Sequence, residues 1–286
     1  MGMRGADSPP VISVIVPSLN QAQYLETAIL SVISQDHPAK ECIVVDGGSV
    51  DGSVEIIQKY QDQLAYWTSE RDDGQADAIR KGIARSIGGV LTWLNSDDVL
   101  MPGALRFVAE ILGAYPQIAW LTGRSATMDR KGRLAEIGPA IGRFRGLVRR
   151  GWYHGRSIGG FIQQEGTFWS RELWERVQGR ITGEKAYALD FELWRLFAAH
   201  ADLVTVDSIL GAFRYHPSQK TSSIDRYYDE LPTRVRRPPE GIRPIVRLVR
   251  SLVGSVTWPL APRVGYDRSR YEWVFKPGPF FRTGIR

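Results

Sequence analysis

The chain has 286 residues, 43% of them hydrophobic, which is enough for one large core or one core with a small appendage. Its only cysteine, Cys42, stands inside an apolar run, so a disulfide framework and a thiolate zinc site are excluded and a reducing, cytoplasmic setting is expected. The net charge of +6 is unevenly placed: residues 232–286 carry twelve Lys and Arg against three Asp and Glu, so the first 231 residues are net acidic and no nucleic-acid partner is expected.

Residues 1–10 lack an apolar h-region, and no run of roughly 18 uncharged apolar residues occurs, so neither a classical export signal nor a spanning helix is expected. Residues 11–16, Val-Ile-Ser-Val-Ile-Val, read as a parallel strand covered on both faces. Helical spacing of Tyr24, Leu25, Ala28, Ile29, Val32 and Ile33 follows, with Asn20 placed as an N-cap. Residues 42–45 give a second strand, Val54, Ile57 and Tyr60 a second helix, residues 65–68 a short strand, and Ala76, Ile79, Ile83 and Ala84 a third helix. This βαβ order predicts a mostly parallel sheet with right-handed crossovers. After a strand over 90–94 come a helix opened by Pro102, a strand over 118–121 and a turn at 129–132. Residues 142–160, rich in Gly and Arg with Trp152, Tyr153 and His154 among them, predict a mobile lid. Helices over 171–177 and 190–199 and a strand over 209–215 complete the globular part, and 225–239 reads as a linker.

The run Val90-Leu91-Thr92-Trp93-Leu94-Asn95-Ser96-Asp97-Asp98 is a buried strand that ends on acids, at the sheet edge where open α/β sheets bind ligands. Adjacent carboxylates repel and suit a hard cation; a cap for the following helix would account for one of them. The loop 47–52 has neither Gly-x-Gly-x-x-Gly spacing nor a P-loop lysine, since Ser53 stands in that place, so a dehydrogenase or a P-loop NTPase is excluded. It does offer Asp46 at a strand end, a candidate for holding a nucleobase or ribose, and Asp51, for which helix capping is an equal reading.

Four ordered blocks, Pro17-Ser18-Leu19-Asn20, residues 44–52, residues 73–82 and Leu94-Asn95-Ser96-Asp97-Asp98, resemble family 2 glycosyltransferases of the GT-A fold. The likeness continues through residues 164–169, 189–194 and Phe213-Arg214-Tyr215-His216, and covers 11–223. It implies a GT-A-like α/β domain that transfers a sugar, with inversion, from a nucleotide-diphosphate sugar (UDP-, GDP- or dTDP-linked) to a glycan or lipid-linked acceptor in cell-surface polysaccharide or glycolipid synthesis. The implied donor site comprises Pro17, Ser18, Asn20 and Asp46, with Asp73, Gln75, Lys81, Asp97 and Glu165. Asp98 and His216 are implied ligands of Mn²⁺ or Mg²⁺, and Asp190 is the implied catalytic base, a helix-start cap being its alternative. Leu19 departs from the aromatic often found in the first block, and Leu189 from the acid that usually precedes the base. Two other readings stay open. A sugar nucleotidyltransferase needs a basic, glycine-rich triphosphate loop near the first strand, and residues 17–23 contain no Lys or Arg. A carbohydrate-binding protein that has lost catalysis would not need Asp98 and Asp190.

The sequence divides into a domain over 1–224 and a linker with a basic helical extension over 225–286. Within 242–256, Ile245, Val246, Leu248, Val249, Leu252 and Val253 surround Arg243, Arg247 and Arg250, the pattern of a basic amphipathic helix on an anionic membrane surface. Trp258, Trp273, Phe275, Phe280 and Phe281 are expected at headgroup level, placing the protein on the inner face of the plasma membrane. Packing on the domain, or pairing of two subunits through the extension, is the alternative.

Overall fold

Strand β1 (Ile12–Ser18) is buried along its whole length. Its side chains alternate between two cores: Val14 and Val16 pack in one cluster, Ile15 in the other, which is why the strand is apolar on every face. The structure, a computed structural model, describes residues 9–154, 160–181, 185–232, 256–282 and Ile285. After β1 come α1 (Ala22–Ile33), β2 (Lys40–Asp46), α2 (Ser53–Tyr60), β3 (Tyr66–Ser69), α3 (Gln75–Arg85), β4 (Val90–Trp93), β5 (Val99–Leu100) and α4 (Ala104–Ala114). Then follow β6 (Trp120–Thr122), β7 (Ala126–Met128), β8 (Leu134–Ile137), α5 (Arg145–Arg149), β9 (Thr167–Ser170), α6 (Arg171–Glu175) and α7 (Leu189–His200). The last elements are β10 (Val204–Val206), β11 (Gly211–Arg214), α8 (Ile224–Glu230), β12 (Arg263–Asp267) and β13 (Glu272–Lys276).

The main sheet runs β13-β12-β10-β6-β9-β4-β1-β2-β3. Its pairs are parallel except where β9 lies between β4 and β6 and where β13 turns back on β12. Leu25, Ile29, Leu105 and Val108 cover one face of its centre, and Ile79, Ile83, Trp194 and Phe197 the other, giving the expected α/β layers. Helix α3 sits so close to β1 that a Cβ on Gly82 would come within 2.6 Å of Ile15 Cγ2. In register, Ser18 lies beside Asp46 and Asp46 beside Ser69, so three polar residues end level at one edge.

A second sheet, β5-β11-β7-β8, stands at that same edge. Strand β5 begins directly after Asp98 and pairs antiparallel with β11, Val99 opposite Ala212, which carries Arg214 alongside the two acids.

Three expectations are corrected. Residues 144–154 do not form a loose lid: Val148 and Tyr153 are buried in the core, and Arg145 donates to the carbonyls of Ala198 and Ala199 at the end of α7. Residues 155–159 lie outside the described residues. The linker expected over 225–239 starts as helix α8, because Ile224, Tyr227, Tyr228 and Leu231 share one apolar face against Ala188 and Phe191. The extension is not purely helical either: residues 263–276 form a hairpin that prolongs the main sheet, which therefore takes strands from both sides of 224/225. Tyr115 donates its hydroxyl to the Trp273 carbonyl at 2.8 Å, Trp273 Nε1 donates to Glu110, and Trp273, Phe275 and Phe281 pack on the core, so these three aromatics are engaged with the domain rather than free for a membrane. The expected amphipathic helix falls almost wholly within 233–255, outside the described residues. Among the described residues no helix is long and apolar enough to cross a membrane.

Candidate active site

The carboxyl edges of β1 and β2 are tied together by their loops. Asn20 adopts a left-handed backbone, φ 52°; its N–H donates to Ser49 Oγ at 2.7 Å and its side-chain carbonyl accepts from the Val50 N–H at 3.0 Å. Asp51 accepts from the Ala22 N–H and from the N–H and hydroxyl of Ser53, so it pins the starts of α1 and α2. Asp46 is fully buried, and its two oxygens take the N–H groups of Gly48 and Ser49 and the hydroxyls of Ser49 and Ser69. A carboxylate with four internal donors shapes the loop from within. Ser18 is different: its Oγ is buried at the strand end with no partner among the described residues. Leu19 is exposed beside it.

The third loop closes against the second. Asp72 accepts from the Gly74 N–H and stands so near Gly47 that a Cβ there would meet its Oδ2 at 2.9 Å. Asp73 is exposed, its N–H donating to Asp77. Lys81 pairs with Asp77 at 3.1 Å and faces Glu70 at 3.6 Å, so its ammonium is held on the α3 side and not at the acid pair. Gln75 reaches inward, donating to Asn95 Oδ1 at 2.7 Å and accepting from Lys220 Nζ at 3.0 Å.

The acid pair itself is divided in role. Asp98 is 1% exposed; Oδ1 accepts from the Arg214 N–H at 2.8 Å and Oδ2 from Asn95 Nδ2 at 3.1 Å. Asp97 faces outward, and its Oδ2 meets His216 Nε2 at 3.0 Å. The structure thus joins His216 to Asp97, while the β5–β11 pairing turns Asp98 toward the backbone of β11. The Arg214 guanidinium donates to the Asp97 carbonyl at 2.7 Å and lies over the Tyr24 ring, which also packs on the His216 ring at 4.5 Å between centroids. Tyr24 thus fixes both basic side chains. Neither Tyr24 nor Arg214 was singled out in the sequence as part of the site, although Arg214 stands in the Phe-Arg-Tyr-His block.

Glu165 and Asp190 complete the acidic mouth. Glu165 is 2% exposed in the turn before β9, where its carbonyl is so close to Gly211 that a Cβ there would lie 2.2 Å away, and its Oε1 has no partner among the described residues. Asp190, half-buried as the second residue of α7, accepts from the Phe191 N–H at 2.7 Å. Burial pushes the Asp98 carboxyl well above the usual carboxylate range, and the charges of Asp97 and Glu165 add to this. Burial, with the charges of Asp190 and Asp97, raises Glu165 to about 8. Burial, with the Glu230 charge and against the Phe191 N–H, raises Asp190 to about 7. Lys220 sits among these groups and is lowered by burial, while Asp97, Glu230 and Asp72 work the other way.

Hard carboxylate oxygens and an imidazole at one sheet edge, short of positive charge and with an orphaned carboxyl oxygen behind them, suit a divalent cation. Yet no cluster of three or more His, Cys, Asp or Glu side chains is already gathered as a metal site among the described residues.

A mostly parallel sheet whose first, second and fourth strands open onto an acidic edge, closed by a small second sheet, is the GT-A-like glycosyltransferase fold. Residues 13–162 match the family model described as glycosyl transferase family 2, and the chain belongs to that family. It is 28% identical over 200 residues to an uncharacterised glycosyltransferase of Nostoc sp., covering 65% of this chain and 56% of that protein. It is 38% identical over 92 residues to the putative teichuronic acid biosynthesis glycosyltransferase TuaG of Bacillus subtilis, covering 31% and 36%. The chain thus spans from about a third to just over half the length of these curated relatives. Among solved structures, TarS 1–349 of S. aureus in complex with UDP-GlcNAc matches with a TM-score of 0.56 at 17% identity, covering 77% of this chain and 64% of that one. The mannosyltransferase PcManGT of Pyrobaculum calidifontis, in complex with GDP-Man and Mn²⁺, matches with a TM-score of 0.55 at 18% identity, covering 88% and 73%. At these identities the likeness speaks for the fold.

Proposed function

We propose that this chain transfers a sugar from a nucleotide-diphosphate sugar to an acceptor hydroxyl with inversion of configuration. The observation that carries the reading is that buried Glu165 lies within reach of the charges of two acidic positions, Asp97, which meets His216, and Asp190 at the start of α7. One position suits a donor diphosphate with its cation, the other an acceptor hydroxyl.

In this reading Asp190 accepts the proton of the attacking hydroxyl. A carboxyl that titrates near 7 is well matched to that work at neutral pH, being largely ionised above 7 yet basic enough to take a proton. One base suffices for a single displacement, which inverts. The loops at Ser18–Asn20 and Gly47–Val50, held in place by Asp46, Ser49 and Asp51, line the base and ribose pocket; Ser18 Oγ supplies a buried hydroxyl still without a partner. Gln75, bonded to Asn95, and Lys220, bonded to Gln75, would contact the diphosphate beside the acid pair, with Asp73 at the rim. Lys81 serves the site indirectly, through Asp77, whose carboxylate also holds the Asp73 N–H. Asp97, Asp98 and His216 would hold Mn²⁺ or Mg²⁺, which supplies charge neutralisation on the departing diphosphate. Glu165 faces the transferred sugar.

The putative role of TuaG in teichuronic acid synthesis and the UDP-GlcNAc and GDP-Man complexes of TarS and PcManGT support a nucleotide-sugar donor and a cell-surface polymer or lipid-linked acceptor. Peripheral attachment through the basic segment 242–256 is part of the proposal and rests on sequence. Release of nucleoside diphosphate from a panel of UDP-, GDP- and dTDP-sugars tests the reading. At least one donor should be turned over with Mn²⁺ or Mg²⁺ and spared in excess chelator, and full turnover in chelator would refute the cation's part.

A further inference from the structure

Helix α7 starts without a side-chain cap of its own, because its N-cap residue is Ala188. The amides that lead into it are gathered instead by a residue 42 to 44 positions later. Glu230, at the end of α8, accepts from the Ala186 N–H at 3.0 Å through Oε1, and from the N–H groups of Tyr187 at 3.0 Å and Ala188 at 2.8 Å through Oε2. Lys185 Nζ donates to the Glu230 carbonyl at 2.5 Å, and Tyr227, Tyr228 and Leu231 pack on Ala188 and Phe191. Three charge-assisted bonds at one helix start, with a negative group at the positive end of the helix dipole, fix that turn more firmly than a neutral cap would. Asp190 follows Ala188 by two residues.

We propose that Glu230 is the positioning residue for Asp190: by collecting the amides of Ala186, Tyr187 and Ala188 it fixes the turn from which the base projects, so that α8, outside residues 13–162, sets the geometry of transfer. The inference rests on Asp190 being the base. The charged and titratable groups that face Asp190 are Glu165 from the turn before β9 and Glu230 and Tyr227 from α8; on its own helix the Phe191 N–H donates to it. Of these, Glu230 both touches the turn and adds negative charge beside the carboxyl.

The test has two arms on the full chain. Hydrogen–deuterium exchange reads the turn without any substrate. In Glu230→Ala the amides of 186–188 should exchange roughly tenfold faster or more, while those of the central strands keep their protection. Glu230→Gln keeps the shape and one acceptor oxygen, so it should lose protection at Ala186 first and serves if the Ala variant folds poorly. The second arm follows nucleoside diphosphate release from whichever of UDP-GlcNAc, UDP-glucose and GDP-mannose is turned over fastest. Glu230→Gln should lower kcat about tenfold with donor KM within about twofold, and move the acid limb of kcat to lower pH because a negative neighbour has gone. Glu230→Asp keeps the charge one methylene short, so its kcat should fall while the limb stays. Unchanged exchange at 186–188, or an unmoved acid limb in Glu230→Gln, would overturn the proposal. If Asp190→Asn retains the wild-type rate, the base assignment falls instead, and the exchange arm alone judges the clamp.

Discussion

Asp190→Asn changes two properties in opposite directions, and the structure sets both. The asparagine keeps the outline of the side chain and its carbonyl still accepts from the Phe191 N–H, so donor binding should be unaltered, while loss of the proton acceptor should lower kcat about 10²- to 10⁴-fold. Stability should rise. The carboxyl titrates near 7 in the fold against 3.8 as an ordinary side chain, so the folded state holds its proton more tightly than the unfolded chain does. The wild type therefore gives up stability as pH climbs between those two values, and loses no more above the upper one. The ceiling on that loss is about 4 kcal/mol, and partial exposure of Asp190 reduces it to about 1–3 kcal/mol. Asparagine carries no such penalty. Its variant should melt several degrees higher than wild type at pH 8, and at the same temperature as wild type at pH 4. Thermal unfolding at the two pH values, paired with nucleoside diphosphate release at pH 8, measures both effects. A variant with wild-type turnover would remove Asp190 from the chemistry, and one with no added stability at pH 8 would show that the fold does not disfavour its charge.

Asp98→Asn should abolish donor binding that depends on Mn²⁺ while leaving the chain folded, since the amide oxygen can still accept from the Arg214 N–H and only the Asn95 donor loses its acceptor; titration of Mn²⁺ by calorimetry in the presence of UDP decides this. Gly82→Ala should destabilise the chain by about 1–3 kcal/mol in urea, against the gain that helix propensity alone predicts, because the added methyl would lie 2.6 Å from Ile15 Cγ2; a more stable variant would show that α3 can move off β1. Full-length protein should float with anionic vesicles at low salt, and the triple change Arg243→Glu, Arg247→Glu, Arg250→Glu should abolish flotation, each lost cation costing on the order of 1 kcal/mol. Truncation is the wrong test, since it would also remove α8, β12 and β13 from the fold. Equal flotation of the triple variant would exclude the segment as an anchor.

The first half of the chain was the readable half. Strands β1, β2 and β4 are covered on both faces and so carry continuous apolar runs, and α1 to α4 show their buried stripe at helical spacing. The second half hides its order because its strands have only three to five residues and pair with partners far away in sequence, as β9 does between β4 and β6. Helix α8 was nonetheless legible: Ile224, Tyr227, Tyr228 and Leu231 keep an i, i+3, i+4, i+7 spacing, masked by the charged residues between them. The hairpin was legible too, in the alternation of Val264 with Tyr266 and of Trp273 with Phe275, but basic neighbours suggested a membrane surface. At the site, sequence motifs located the acids but not their orientation. That Asp98 turns inward and Asp97 meets His216 follows from the β5–β11 register, which no local spacing reveals. Asp46 stands at the strand end that the sequence marks, but its bonds to the loop it organises and to Ser69 on another strand are visible only in the fold. Glu230 and Lys220 carry no motif, and only the fold brings them to the mouth.

The most direct test of a nucleotide-sugar site shared by Asp97, Asp98 and His216 is a thermal-shift series with UDP-, GDP- and dTDP-sugars, each with Mn²⁺ and with chelator. A donor at about a hundred times its dissociation constant adds about 2.7 kcal/mol, so at least one sugar nucleotide should raise Tm by several degrees with Mn²⁺, and by much less in chelator or in Asp97→Asn or Asp98→Asn. No rise with any donor, or the same rise in chelator and in both variants, would contradict the site.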